Sequence, residues 1–169
     1  MQQGNSTSRA EARATIWVGD RWRAHLLRSV PVARRPPDEQ ALHDRVISAI
    51  FQQLQDAGRL AETNPGPLRM VSVCGHYPDV MAALVHERTD IVQAIYEVET
   101  WSTVEERHAE HQWVAFASLA LPFFLVVPED CLDDARRIAR ELEVEATLVG
   151  FTEREDGIIS FDSEIVPPL

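Results

Sequence analysis

The alternation of strand-like and helix-like segments between Ile91 and Phe151 limits the fold of this chain more than any other feature. Ile91 to Glu99 is rich in β-branched residues and reads as a strand. Ser102 and Thr103, each followed three residues later by Glu105 or Glu106, offer overlapping capping boxes for a helix running to about Leu119. Phe123 to Val127 reads as a short buried strand. Asp130 can cap a helix whose inward positions are Leu132, Ala135, Ile138, Ala139 and Leu142, and Ala146 to Phe151 reads as a last strand. Strands joined through helical crossovers run parallel and need helices over their faces.

The upstream half supplies the rest of that sheet. Asp38 can cap a helix whose apolar positions Leu42, Val46, Ile50 and Leu54 form one stripe, and Gly58 closes it at the C′ position. An apolar run from Leu68 to Cys74 reads as a first strand and Tyr77 to Val85 as a second, with a polar turn from His86 to Asp90. The expected order is αβββαβαβ, an α/β domain with a mixed β-sheet flanked by helices. Its expected limits are residues 38 and 152. Residues 1–37 read as a basic arm, partly disordered, and residues 153–169 as an acidic tail or an edge hairpin.

Composition removes several function classes. At 169 residues the chain has the length of one domain. Its 16 basic residues are all arginine, which excludes a P-loop lysine, a Schiff-base lysine and any mechanism using a side-chain amine. Two cysteines, Cys74 and Cys131, with no CxxC pair exclude a disulfide scaffold and a cysteine-rich zinc module. The net charge of −11 is uneven: the first 37 residues carry seven arginines against Glu11 and Asp20, and the remainder is strongly acidic. An acidic body repels phosphate at long range, although carboxylates that gather a divalent cation invert that field locally. The arm around Trp22, Leu26 and Val30 reads as a helix packed on the body, or as a contact to DNA phosphates or to the second subunit of a homodimer. The apolar run Val114 to Val127 is interrupted by Ser118 and Pro122 and is too short to cross a bilayer, so no membrane partner is expected. The polar N-terminus lacks the apolar stretch of a secretory signal, and the expected location is cytoplasmic.

The segment that carries chemistry is Tyr77-Pro78-Asp79-Val80 followed by Ile95-Tyr96-Glu97-Val98-Glu99-Thr100. Residues two apart on a strand share a face, so Glu97 and Glu99 point one way, with Cα atoms roughly 6–7 Å apart from the ~3.3 Å rise per residue. If the turn after Val85 pairs the two strands, Asp79 joins them. Three acids on adjacent strands form an oxygen site suited to Mg²⁺ or Mn²⁺. The plainer alternative is that Glu97 and Glu99 line a solvated strand face.

This order, with Pro78-Asp79 before Glu97-x-Glu99, resembles the PD-(D/E)xK nuclease superfamily and its restriction-endonuclease-like fold over about residues 38–150. It is similar above all to small bacterial members that carry a His-Asp pair on the first helix, a Val-Glu-Thr at the third strand and a Gln-Trp on the next helix. Here these are His43-Asp44, Val98-Glu99-Thr100 and Gln112-Trp113. The resemblance implies a metal-dependent phosphodiesterase acting on DNA. Asp79 and Glu97 match the two metal-binding acids, and Glu99 takes the position usually held by lysine. Two options follow: an active variant in which Glu99 accepts the water proton, or a decayed site retained as a protein- or nucleic-acid-binding module.

The family also places an acid on the first helix near the metal, which makes Glu39 a candidate outer ligand; a solvated first-turn glutamate is the plainer reading. Gln112 is implied to face the site. His43 reads as a boundary histidine bonded to a loop, with an accessory role as the alternative. His108 and His111, three apart on a helix, could share a transition metal but lack the HExxH pattern, so a solvent-facing pair is expected.

Overall fold

The computed structural model describes residues 35–66, 69–86 and 89–168. The expected basic arm falls almost wholly outside them. Helix α1 spans Pro37–Asp56, followed by β1 (Leu60–Thr63), β2 (Val80–His86) and β3 (Thr89–Val98). Two short helices, α2 (Glu106–His111) and α3 (Trp113–Ala117), lead to β4 (Phe123–Pro128). A single 3₁₀ turn and α4 (Leu132–Glu141) then precede β5 (Thr147–Glu153) and β6 (Ile159–Phe161). The six strands form one mixed sheet in sequence order. β1, β2 and β3 form an antiparallel meander, β3–β4 and β4–β5 are parallel, and β6 is antiparallel to β5. The chain is therefore α/β with a mixed sheet and helices, as its alternation implies.

Both sheet faces are covered. Leu42, Val46, Ile50 and Leu54 of α1 pack on Val80, Ala82, Tyr96, Val98 and Val126. Trp113, Phe116, Ala135 and Ile138 pack on Met81, Ile95, Leu125 and Val127 on the other side. All six residues of β4 are buried, the pattern of a central parallel strand with helices on each face.

Several local expectations are corrected. The first strand is Leu60–Thr63, not Leu68 to Cys74. Gly58 (φ 71°) ends α1 in a Schellman turn, its N–H donating to Gln55 O and that of Arg59 to Leu54 O, and the chain enters the sheet at once. Val71 and Val73 are buried outside the ladder, in a loop held by Asn64, whose amide bonds the backbone of Met70, Val71 and Pro78. Asp38 lies inside the first turn of α1 behind Pro37, and so does not cap it. The helix expected from Ser102 to Leu119 is two short ones broken at Gln112, and no capping box forms. Asp130 sits in the 3₁₀ turn and accepts from Trp101 Nε1 at 3.0 Å instead of capping α4. Of the two alternatives for residues 153–169, tail or edge hairpin, the hairpin is the one formed: β6 pairs with β5, Ile165 is buried, and its carbonyl accepts from Tyr96 Oη at 2.7 Å. Among the described residues no helix is long and apolar enough to cross a membrane.

Candidate functional site

The antiparallel register pairs Val80 with Tyr96, so extending it by one step sets Asp79 across from Glu97. Asp79 is held there by a backbone donor, Val98 N at 2.8 Å, and by His43 Nε2 at 3.0 Å, both on Oδ2. His43 comes from the buried face of α1, and its Nδ1 meets Asp44 Oδ1 at 3.1 Å. Burial opposes a charge on His43, yet the charge and bond of Asp79, with the bond to Asp44, outweigh it and raise its pKa. His43 is thus a buried clamp on Asp79 rather than a boundary residue.

Glu97 and Glu99 share the face opposite Tyr96 and Val98, as the two-residue period requires. That face is covered by α2 and α3, so the solvated-strand alternative is excluded: Glu97 is 1% exposed and Glu99 0%. The break at Gln112 turns three side chains toward them. Gln112 Nε2 donates to Glu97 Oε1, Trp113 Nε1 donates to Glu99 Oε1 at 2.7 Å, and His108 Nε2 lies 3.2 Å from the same oxygen. Arg35 completes the site, its Nη2 donating to Val98 O at 2.9 Å and to Glu99 Oε2 at 3.2 Å.

The two glutamates have opposite electrostatics. Burial, then the charges of Asp79 and Glu99, push Glu97 well above the usual carboxylate range, and Arg35 offsets this only in part. Burial also works against an ionised Glu99, but the close approach and charge of His108 and the charge of Arg35 win and lower its pKa. Glu97 Oε2 is buried with no hydrogen-bond partner, and so is His108 Nε2, whose approach to Glu99 misses hydrogen-bonding geometry.

Among the described residues, Glu97, Glu99 and His108 form the group whose ligand atoms lie close enough for one ion, all within 4.8 Å of one another. Asp79 adjoins this group and acts on Glu97 through its charge. Glu39 is engaged elsewhere: its Oε2 accepts from Ser102 N at 3.1 Å and Ser102 Oγ at 2.8 Å. The His108–His111 pairing is not built, since His111 is exposed and His108 turns to Glu99. Cys74 and Cys131 are both free.

Arg35 and the inward role of His108 escape the sequence reading. Arg35 lies in a double-arginine, double-proline run that reads as a breaker. The one usable signal was indirect, since a buried carboxylate at Glu99 demands a cation and no lysine exists to supply it. Compared with protein-family models, curated proteins and solved structures, the chain matches none.

Proposed function

We propose that this chain is a divalent-metal-dependent phosphodiesterase acting on DNA, of the PD-(D/E)xK type, with Mg²⁺ or Mn²⁺ as its cation. The observation that carries the reading is Glu97 Oε2, a carboxylate oxygen buried without a partner beside Asp79 and Glu99. An unpaired buried carboxylate is costly unless it is protonated or meets a cation, and oxygen donors suit a hard ion. Asp79 and Glu97 would hold it. Such a cation, when bound, polarises a phosphoryl oxygen and makes its water more acidic.

The remaining chemistry belongs to the chain. Glu99 stays ionised and each of its oxygens keeps acceptor capacity beyond Arg35 and Trp113, so it can orient a water and take its proton. Arg35 is a permanent cation beside the position where the family has lysine, and its fixed guanidinium can face developing phosphoryl charge. His43 fixes the Asp79 carboxylate in one orientation.

A second reading has its own observation. Both Glu99 oxygens are already engaged and the side chain is fully buried, as in a decayed site kept as a binding module. Nicking of supercoiled and branched DNA at low salt with Mg²⁺ or Mn²⁺ separates the two. The nuclease reading expects cleavage by wild type, its loss in Asp79→Asn, and a fall of roughly 10²–10⁴ in rate for Glu99→Gln, the usual worth of a positioned base. Wild type inert with both metals, and Glu99→Lys equally inert, would leave the module.

A further inference from the structure

The geometry points to a transition-metal site built from Glu97, Glu99 and His108, one that takes Mn²⁺ or Zn²⁺ in preference to Mg²⁺. The inference deepens the proposed function and rests on its claim that Glu97 faces a cation; what it adds is His108 as a nitrogen ligand, with Glu99 in place of Asp79 as the second carboxylate.

Three observations carry it. Ligand atoms of these residues lie within 4.8 Å of one another. Metal–ligand bonds of about 2.0–2.2 Å place neighbouring ligand atoms roughly 3 Å apart. His108 Nε2 and Glu99 Oε1 already stand at 3.2 Å. Next, two of the donors are unfinished: Glu97 Oε2 and His108 Nε2 are buried and neither has a hydrogen-bond partner. Glu97 is entirely enclosed, so water cannot serve that oxygen from bulk. Finally, the charge is uneven. Asp79 is answered by His43 and Glu99 by Arg35, whereas Glu97 is met by neutral donors, the Gln112 amide and the Asp79 backbone N–H.

His108 decides the metal class. Once the cation displaces its proton, the imidazole is a borderline donor that suits Mn²⁺, Fe²⁺ and Zn²⁺ far better than Mg²⁺, which keeps to oxygen and sheds its water reluctantly. Its ring is directed by the helix around it. His108 and Gln112 lie one turn apart on the same face, and Gln112 N donates to His108 O at 3.0 Å, so both side chains descend on the glutamate pair together.

The test uses the full chain stripped with EDTA and titrated calorimetrically with MnCl₂, ZnCl₂ and MgCl₂, together with pulsed EPR of the bound Mn²⁺. Mn²⁺ and Zn²⁺ should bind at least about tenfold tighter than Mg²⁺, following ligand preference. The EPR should show the nitrogen modulation of one imidazole. His108→Ala should remove that modulation and weaken Mn²⁺ and Zn²⁺ by more than the roughly 10–100-fold that even an outer partner is worth, while leaving Mg²⁺ unchanged. The wild-type spectrum does not depend on any variant folding. Mn²⁺ bound without nitrogen modulation, or Mg²⁺ bound as tightly as Mn²⁺, overturns this inference and leaves the proposed function standing. Failure of wild type to bind any of the three ions overturns both.

Discussion

The two faces of β3 present buried polar groups in different conditions. Toward α1, Tyr96 donates to Ile165 O, and the neighbouring Asp79 is held by His43 and by Val98 N. Toward α2 and α3, Glu97 Oε2 and His108 Nε2 are buried with nothing to bond. Packing is dense on both sides, so loose assembly does not account for the difference. Lone unpaired atoms also occur elsewhere among the described residues, at Thr100 Oγ1 and Arg59 Nε, but a carboxylate and an imidazole unpaired within one ligand set mark where something else can bind, in contrast to the finished network around Asp79. On the proposed reading one face is structural and the other functional, and the division can be broken by substitution.

The largest effect belongs to the structural face. Ile50 is fully buried in the α1 stripe, and Ile50→Ala should cost about 2–5 kcal/mol in urea unfolding, the usual range for such a truncation. Mn²⁺ affinity of the folded fraction should not change. A loss of affinity beyond the loss of folded protein would mean that the two faces are not separable.

His43 is next, because it ties the faces together through Asp79. His43→Ala should cost about 1–3 kcal/mol, the penalty for leaving a buried acceptor short of a partner. The sign of its pH dependence follows from the raised pKa. A histidine whose folded pKa exceeds its unfolded value of about 6.5 contributes fully below that value and loses its contribution as pH rises through the folded value. The stability gap between wild type and His43→Ala, measured without metal, should therefore narrow as pH rises above about 6.5. A gap that widens would show that His43 is held neutral.

How much of this was legible beforehand differs by residue. The pairing of Asp79 with Glu97 and the shared face of Glu97 and Glu99 follow from strand periodicity, which is local and strict. That this face is buried needs α2 and α3 laid over it. Helix packing depends on contacts distant in sequence, so periodicity could not separate a metal site from a solvated ladder. Arg35 was illegible because nothing in an Arg-Arg-Pro-Pro run says which guanidinium turns inward. Leu68 to Cys74 misled because an apolar run reports burial, and burial in a loop tied by Asn64 looks the same as burial in a strand.

A smaller effect, telling by its sign, is expected at Glu97. Burial and the neighbouring acids oppose its charge in the metal-free protein, so Glu97→Gln should leave the melting temperature unchanged or raised. The same variant should abolish any rise in melting temperature caused by Mn²⁺. Clear destabilisation of the metal-free protein would make Glu97 a structural acceptor for Gln112 and would place it on the finished side of the comparison.

The smallest effect sharpens the boundary of the site. Glu39 is an outer-ligand candidate by resemblance, yet its carboxylate receives Ser102 N and Ser102 Oγ, bonds that tie the first turn of α1 to the loop after Glu99. Burial is the largest single influence and opposes its charge, but bonds from Thr100 and Ser102 together lower its pKa, so it is ionised and occupied. A partly exposed contact of this kind contributes on the order of 0.5–1.5 kcal/mol, and Glu39→Gln, which keeps an acceptor oxygen, should cost less than that in urea unfolding. The same substitution removes a charge that an outer ligand would need. Mn²⁺ affinity in Glu39→Gln within twofold or so of wild type fixes the site as Glu97, Glu99 and His108 with Asp79 beside them. A drop of the roughly 10–100-fold expected for an outer metal partner would instead extend the functional region across to α1, and the division between the two faces of β3 would fail at that point.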